Sequence, residues 1–391
     1  MSATTDATDI TRAPHLADYR REVEQFAKRE WVANEARDPV EFRRRAIRAG
    51  YLQRTLAPRW GGAGLEQGYL ESRIVHSTFA RVGAPTIPAG VGPTLLVPTV
   101  LQYGTDEQRE RWVLPTLVGE IVWCQGYSEP EAGSDLASLR TRAVRDGDSW
   151  LLTGHKIWSS DADNAQYMFC LARTDPDAPK RAGISMFVVD LRSPGVTVAP
   201  IRQITGESDF AEVFLVDVPV DDSCRIGEVN QGWAVSTQLL GIERESTGGT
   251  LFEEFDELLQ LARERGATSE LRIAMQLLDI ETQLLAFDVN QARICEPNTP
   301  ESTLRVPQLV SKLMSTNLIE KMACLAGEVL GPELLDVPEP DIYLSVPVAV
   351  AGWRRQWYRA LAFGIAGGAS NIQRNIIADR GLVLERARTS S

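Results

Sequence analysis

A chain of 391 residues exceeds what one small hydrophobic core can organise and calls for two or three packed modules. Its net charge of −12 argues against a nucleic-acid partner, whose phosphates it would repel at long range. The same charge means that any site for a strongly anionic ligand must be a local basic patch.

Five cysteines are scattered without a C-x-x-C, and the three histidines, His15, His76 and His155, are far apart, so neither set has metal-ligand spacing. Reduced thiols are expected. The first residues are polar and acidic through Asp9, with no apolar core of a secretory signal, and no run approaches a membrane span of about 20 apolar residues. The expectation is a soluble, cytoplasmic protein.

From about Leu16 to Val122 apolar residues recur at helical spacing. Within this stretch, Thr105 followed by Gln108 predicts a capping box, and Pro115 is expected to break or kink the helix it opens. Between Trp123 and Val220 the period changes to two, giving strand-like runs such as SWLLTGHKIW (149–158) and AEVFLVDVPV (211–220). Helical spacing returns from Gly232, interrupted by CEPNTPEST (295–303) and GPELLDVPEPD (331–341). The chain therefore divides into an N-terminal helical module (1–122), a middle β module (123–231) and a C-terminal helical module (232–391).

The most specific local pattern pairs Cys124-Gln125-Gly126-Tyr127-Ser128-Glu129-Pro130-Glu131-Ala132-Gly133-Ser134-Asp135 with Lys156-Ile157-Trp158-Ser159-Ser160. Ala132 and Gly133 leave room for backbone to approach a ligand, Ser128 and Ser160 offer hydrogen bonds at a ring edge, and Trp158 offers a stacking face. Taken singly, each is equally read as a turn serine or a core tryptophan. Together they suit a flat, hydrogen-bonding heterocycle.

This passage, with LARTD (171–175), resembles the acyl-CoA dehydrogenase superfamily, and the resemblance extends from YGTDEQRERWVLPTLVGE (103–120) to IQRNIIADRGL (372–382). It implies an α+β fold with an N-terminal helical domain, a middle β-barrel-like domain that binds flavin and a C-terminal four-helix bundle. It implies FAD as cofactor, an acyl-CoA substrate, electron-transfer flavoprotein as electron acceptor and a homo- or heterotetramer. By the same resemblance Gln125, Gly126 and Tyr127 run beside the isoalloxazine, Ser160 lies near N5, Ser128 near the pyrimidine side, Trp158 covers part of the ring, and Ser159 belongs to the cofactor site. Gly133, Ala369, Ser370 and Asn371 belong to the same cofactor site. Ser134, Gly241, Arg244 and Gly368 face the acyl-CoA.

The family reaction removes an α-proton and a β-hydride from the thioester. The general base stands either in a C-terminal turn or on an earlier helix. Here the turn reads Ile365-Ala366-Gly367-Gly368-Ala369-Ser370-Asn371, with Gly367 where a carboxylate would stand, and QLLGIERESTGG (238–249) matches the alternative. Glu243 is the candidate base, and Gly367 retains a backbone N–H for the thioester oxygen. The local sequence alone equally accommodates Glu243 as a surface glutamate beside Arg244 and Glu245. Two departures bear on the ADP half of FAD. No R-x-x-F-G element lies between 255 and 300, and Glu328 stands where an amide donor is expected. Some bacterial members that act on steroid side-chain thioesters form α2β2 heteromers in which one chain brings the base and the other the ADP contacts. That arrangement, a homotetramer with drifted contacts, and a flavin oxidase or monooxygenase of the same superfamily stand as alternatives.

Overall fold

The computed structural model describes residues 16–66, 68–237, 251–296, 299–335 and 348–384. They form two compact units, one from Met1–Ala199, Phe210–Leu239 and Cys295–Pro297, the other from Pro200–Asp209, Leu240–Ile294 and Asn298–Ser391.

The first unit opens with α1 (Ala17–Ala27), α2 (Pro39–Arg48), α3 (Tyr69–Arg81), α4 (Val97–Tyr103) and α5 (Asp106–Val118). Helix α2 begins with Pro39 behind Asp38, whose carboxylate accepts from the Val40 and Glu41 N–H groups. The capping box predicted for α5 is present, with Thr105 and Gln108 bonding each other's backbone. Pro115 does not end that helix, which runs on to Val118. The proline sits in the final turn, where losing one donor costs little cooperative structure. Gln108 also donates from Nε2 to the Ser223 and Arg225 carbonyls at 2.7 and 2.8 Å, fastening the helices to the end of the β region. Nearby, the Trp123 indole donates to Thr116 at 2.8 Å and meets Trp112 edge-on.

Eight strands form one sheet, in the order β6 (Val196–Ile201), β7 (Phe210–Asp221), β3 (Ser149–Ser160), β2 (Arg142–Asp146), β4 (Tyr167–Arg173), β5 (Ile184–Asp190) and β8 (Arg225–Ile226), with β1 (Trp123–Gly126) beside β4. The long β3–β7 ladder is antiparallel and slips twice, between Leu152 and Gly154 and between Lys156 and Ser159. Leu152, Met168, Phe187 and Val213 are among the residues that fill its core.

The second unit contains α6 (Leu251–Glu264), α7 (Leu271–Ile294), α8 (Glu301–Leu330), α9 (Val348–Phe363) and α10 (Ser370–Ile376). Phe255, Leu258, Leu277, Leu284, Met322 and Trp353 are among the residues of one shared core, as expected of four long helices. The segment 200–209 is held here by charge: Arg359 bonds Asp209 at 2.5 Å, and Arg355 pairs with Glu207.

One polar cluster inside the β region is unusual. Lys156 is fully buried at 0% exposure, and its Nζ lies 2.8 Å from Glu129 Oε1 and 3.3 Å from the Tyr127 carbonyl. The Glu129 carboxylate also accepts from the Arg140 and Thr141 N–H groups at 2.6 and 2.9 Å. Burial pushes this carboxyl up, but the Lys156 ammonium and the hydrogen bonds from Lys156, Thr141 and Arg140 outweigh it and hold it below the usual range.

Removing one member leaves the other charge buried and uncompensated, so Glu129→Gln should lower unfolding stability by about 3–5 kcal/mol near neutral pH. A carboxyl held low in the fold stabilises fully above its unfolded value, near ~4.3, and that contribution disappears as pH falls through the folded value. The gap between wild type and Glu129→Gln should therefore be widest at neutral pH and close in acid. Denaturant titrations from pH 7 downward measure it, and a gap that widens in acid contradicts this account.

Candidate functional site

The segment carrying Ser128 is a tight reversal. Glu129 and Ala132 exchange backbone hydrogen bonds in both directions, at 3.1 and 3.0 Å, with Pro130 and Glu131 at the tip. Two further bonds tie it to β3: the Ile157 N–H donates to the Ser128 carbonyl at 3.0 Å, and Lys156 reaches the Tyr127 carbonyl from below. The two sequence segments singled out for ring binding are thus one structural feature.

At that junction β3 carries one residue more than β7 between Lys156 and Ser159. The bulge places Trp158 at φ 61°, in the left-handed region that bulky side chains avoid. Its indole is 55% exposed, with Phe210 edge-on at 6.0 Å. A large apolar ring held outward by a strained backbone is a stacking platform. Ser159, next in the chain, is buried, and its Oγ has no hydrogen-bond partner among the described residues. Ser128 and Ser160 are half-buried.

Gln125 is half-buried in β1, paired in register with Phe169. Gly126 is buried, and a Cβ there would come within 2.5 Å of Met168 Sδ, so sheet packing already requires glycine. Tyr127 is buried with its ring edge-on to Phe169. Gly133 differs: its φ is not left-handed and a Cβ would meet no protein atom within 4 Å. No described residue demands glycine at that point.

Gly133 and Ser134 lie in an exposed turn. Around them Arg140 pairs with Glu131 at 2.6 Å, while Lys180 bonds Asp135 at 3.0 Å and Ser138 at 2.7 Å. The Ser138 hydroxyl and the Lys180 ammonium hold the Asp135 carboxyl below its usual range. The cations Arg140 and Lys180 are thus held in exposed ion pairs.

In the second unit, the turn after α9 has Gly367 at φ 63° and Gly368 at φ 97°. Buried Gln373 donates from Nε2 to the Gly367 carbonyl at 3.0 Å, and buried Lys312 donates to the Gly368 and Phe363 carbonyls, both at 3.0 Å. Ala369 caps α10. Two neighbours are engaged internally: Ser370 Oγ donates to the Gly364 carbonyl at 3.2 Å, and the Asn371 amide oxygen accepts from Arg374 at 3.1 Å. Glu328 does not present a free anion. Arg272 pairs with it and Gln276 donates to it at 3.2 Å, and the Arg272 bond leads the influences that lower its pKa. Gly241, Glu243 and Arg244 lie outside the described residues.

Lys156, Glu129, Lys312 and Gln373 were not anticipated as parts of either site. The signal was available. Lys156 falls on the inward parity of β3 with Trp150 and Leu152, and Lys312 falls on the buried stripe of α8 with Ser315, Ile319 and Met322.

Among the described residues no group of three or more His, Cys, Asp or Glu side chains could hold a metal, and no helix is long and apolar enough to cross a membrane. None of the five cysteines is in a disulfide among the described residues.

Three family models match the chain. The acyl-CoA dehydrogenase N-terminal domain matches residues 14–120, the middle domain 124–218 and the C-terminal domain 230–382. Acyl-CoA dehydrogenase IpdE1 of Mycobacterium tuberculosis is 37% identical over 333 residues, 83% of either chain. Acyl-CoA dehydrogenase FadE34 of that organism is 44% identical over 253 residues, 63% of this chain and 34% of its own, so this chain spans about a third of that relative's length. The crystal structure of the ChsE4–ChsE5 complex from Mycobacterium tuberculosis superposes with a TM-score of 0.75 at 27% identity, covering 97% of this chain and 100% of that one. The chain belongs to the acyl-CoA dehydrogenase family.

Proposed function

We propose that this protein is an FAD-dependent dehydrogenase that introduces an α,β double bond into an acyl-CoA thioester. The reading is carried by the outward indole of Trp158, locked by its bulge beside the Tyr127–Ser128 turn that Lys156 holds. The surroundings fit a flat heterocycle. The indole offers a face, Ser128 and Ser160 offer hydroxyls, and Ser159 Oγ is a buried polar atom awaiting a partner among the described residues. Gly133 leaves open space at the turn.

In this reading Gln125, Gly126 and Tyr127 line the ring with backbone, and Ser128, Trp158, Ser159 and Ser160 bind its edge and face. FAD, when bound, supplies the acceptor for the β-hydrogen, taken as hydride at N5. Glu243 removes the α-proton, and the backbone N–H groups of the Gly367–Gly368 turn stabilise the negative charge that develops on the thioester oxygen. Arg244, Gly241 and Ser134 hold the CoA portion. Ser370 and Asn371, whose side chains are engaged internally, contribute through their backbone with Ala369. Electrons leave to electron-transfer flavoprotein.

A second proposal concerns assembly: this chain is the base-bearing subunit of a heteromer whose other chain holds the ADP half of FAD. It is favoured by Glu328, which is committed to Arg272 and Gln276 where an amide donor to ADP is expected. The structural neighbour ChsE4–ChsE5, itself a complex of two named components, agrees with it.

Three outcomes follow. Glu243→Gln should slow flavin bleaching by a panel of acyl-CoAs by at least about 10²-fold in stopped-flow absorbance, and a variant that bleaches at the wild-type rate removes Glu243 as the base. Trp158→Ala should weaken FAD retention about tenfold, in line with the loss of one stacking contact and its buried area, measured by flavin content after dialysis. Purified alone, the chain should be nearly colourless at 450 nm and turn yellow only with its partner. A fully yellow, acyl-CoA-reducible single chain rules out the heteromer.

A further inference from the structure

The carbonyls of Gly367 and Gly368 both face buried donors. Gln373, 1% exposed, reaches Gly367 O at 3.0 Å and Gly368 O at 3.5 Å. Lys312, 3% exposed, reaches Gly368 O and Phe363 O, each at 3.0 Å. Phe363 ends α9, so its carbonyl is one of the orphan acceptors of a helix C-terminus, where a cation is also favoured by the helix dipole. One ammonium thus joins the end of α9 to the turn that follows it.

This fixes more than the carbonyls. The chain has no cis peptide bonds among its described residues, and in a planar trans peptide the N–H of one residue points opposite to the C=O before it. Drawing Gly367 O toward Gln373 turns the Gly368 N–H away from the core, and drawing Gly368 O toward Lys312 does the same for the Ala369 N–H. Among the described residues neither N–H has an acceptor. The left-handed φ of both glycines permits this orientation. A Cβ on Gly368 would stand 2.4 Å from Gln373 Nε2 and displace the amide that holds the turn. The ammonium behind Gly368 O also polarises that peptide, making the Ala369 N–H a stronger donor.

We infer that Lys312 and Gln373 are positioning residues that hold the Gly367–Gly368 turn so that its backbone N–H groups face the thioester oxygen, an assignment that rests on the proposed desaturation. Neither side chain touches substrate in this account. Both act through the backbone they hold. A misplacement of about 1 Å in such donors costs up to about 10² in rate, because the stabilisation is needed where charge develops.

The test uses the holoprotein as isolated, with its partner subunit where it has one, and the variants Lys312→Met, Lys312→Arg and Gln373→Leu. Amide hydrogen exchange over 364–373 reads the turn itself. A 3-thia-acyl-CoA, which can lose its α-proton but has no β-hydride to give, reads stabilisation of the enolate through its long-wavelength absorbance beside flavin. Lys312→Met should speed exchange at Gly368 and Ala369, diminish the enolate band and lower kcat about tenfold to hundredfold, with KM within about threefold. Lys312→Arg should restore part of each loss. Gln373→Leu should act in the same direction and carries the test if Lys312→Met does not fold. Unchanged exchange in 364–373 overturns the positioning role whatever the activity. Faster exchange with an intact enolate band and kcat overturns the catalytic link. A wild-type protein that no acyl-CoA bleaches overturns the desaturation reading and the thioester assignment together, a result distinct from an active wild type with equally active variants.

Discussion

The buried contact between Lys156 and Glu129 is the constraint on which the geometry of the proposed flavin site depends. The 129–132 reversal closes on itself through two backbone bonds, but those bonds do not fix its direction relative to β3. Direction comes from the ammonium, which takes the Tyr127 carbonyl and the Glu129 carboxylate together, and from that carboxylate, which takes the N–H groups of Arg140 and Thr141. A buried ion pair is weak evidence for net stability, because desolvation consumes most of the Coulombic gain. Its value here is that three segments, 127–129, 140–141 and 156, share one satisfied polar centre. An apolar pair of equal volume would leave the Arg140 and Thr141 donors and the Tyr127 acceptor to be satisfied elsewhere.

A second lysine repeats the device in the helical unit. Lys312 gathers carbonyls from a helix end and from a glycine turn, as Lys156 gathers an acceptor from a strand end and a carboxylate from a hairpin. Lysine suits this work. Its three donors sit at the end of a flexible stem, so it can meet acceptors whose directions are set by separate elements, where the flat fork of an arginine would impose its own geometry. In both places the backbone beside the lysine is what the proposed chemistry uses.

The order of helical and strand regions was legible because the hydrophobic period changes from 3.6 to 2 near Trp123 and back near Gly232. The strand-like runs at 149–158 and 211–220 lie in β3 and β7, and the α5 capping box was readable from two residues. The continuation of α5 past Pro115 was not, because a proline's cost depends on how many helical bonds follow it. The grouping of segment 200–209 with the helical unit was also out of reach: it rests on Arg355 and Arg359, some 150 residues away in sequence. Of the candidate site, the Ser128 and Trp158 segments were legible as a pair, but the bulge that turns the indole outward was not. A bulge is a mismatch between two strands, and only the register of β3 against β7 reveals which residue is extra. Gly126 and Gly133 look alike in the sequence. One is required by Met168 and the other by no contact among the described residues.

That last contrast bears on how a chain of net charge −12 could take a CoA thioester. The cations beside Ser134 are Arg140 and Lys180, and both are exposed and already paired with Glu131 and Asp135. Exposed pairs of this kind contribute little, since each charge is nearly as well served by water. A phosphate brings more acceptor oxygens and more charge than one carboxylate, so it competes well for an arginine or lysine held so weakly. The buried cations are of the opposite kind. Lys156 and Lys312 are held by acceptors that cannot be replaced without exposing unpaired backbone, and that difference in burial separates the residues able to change partners during binding from those that must not.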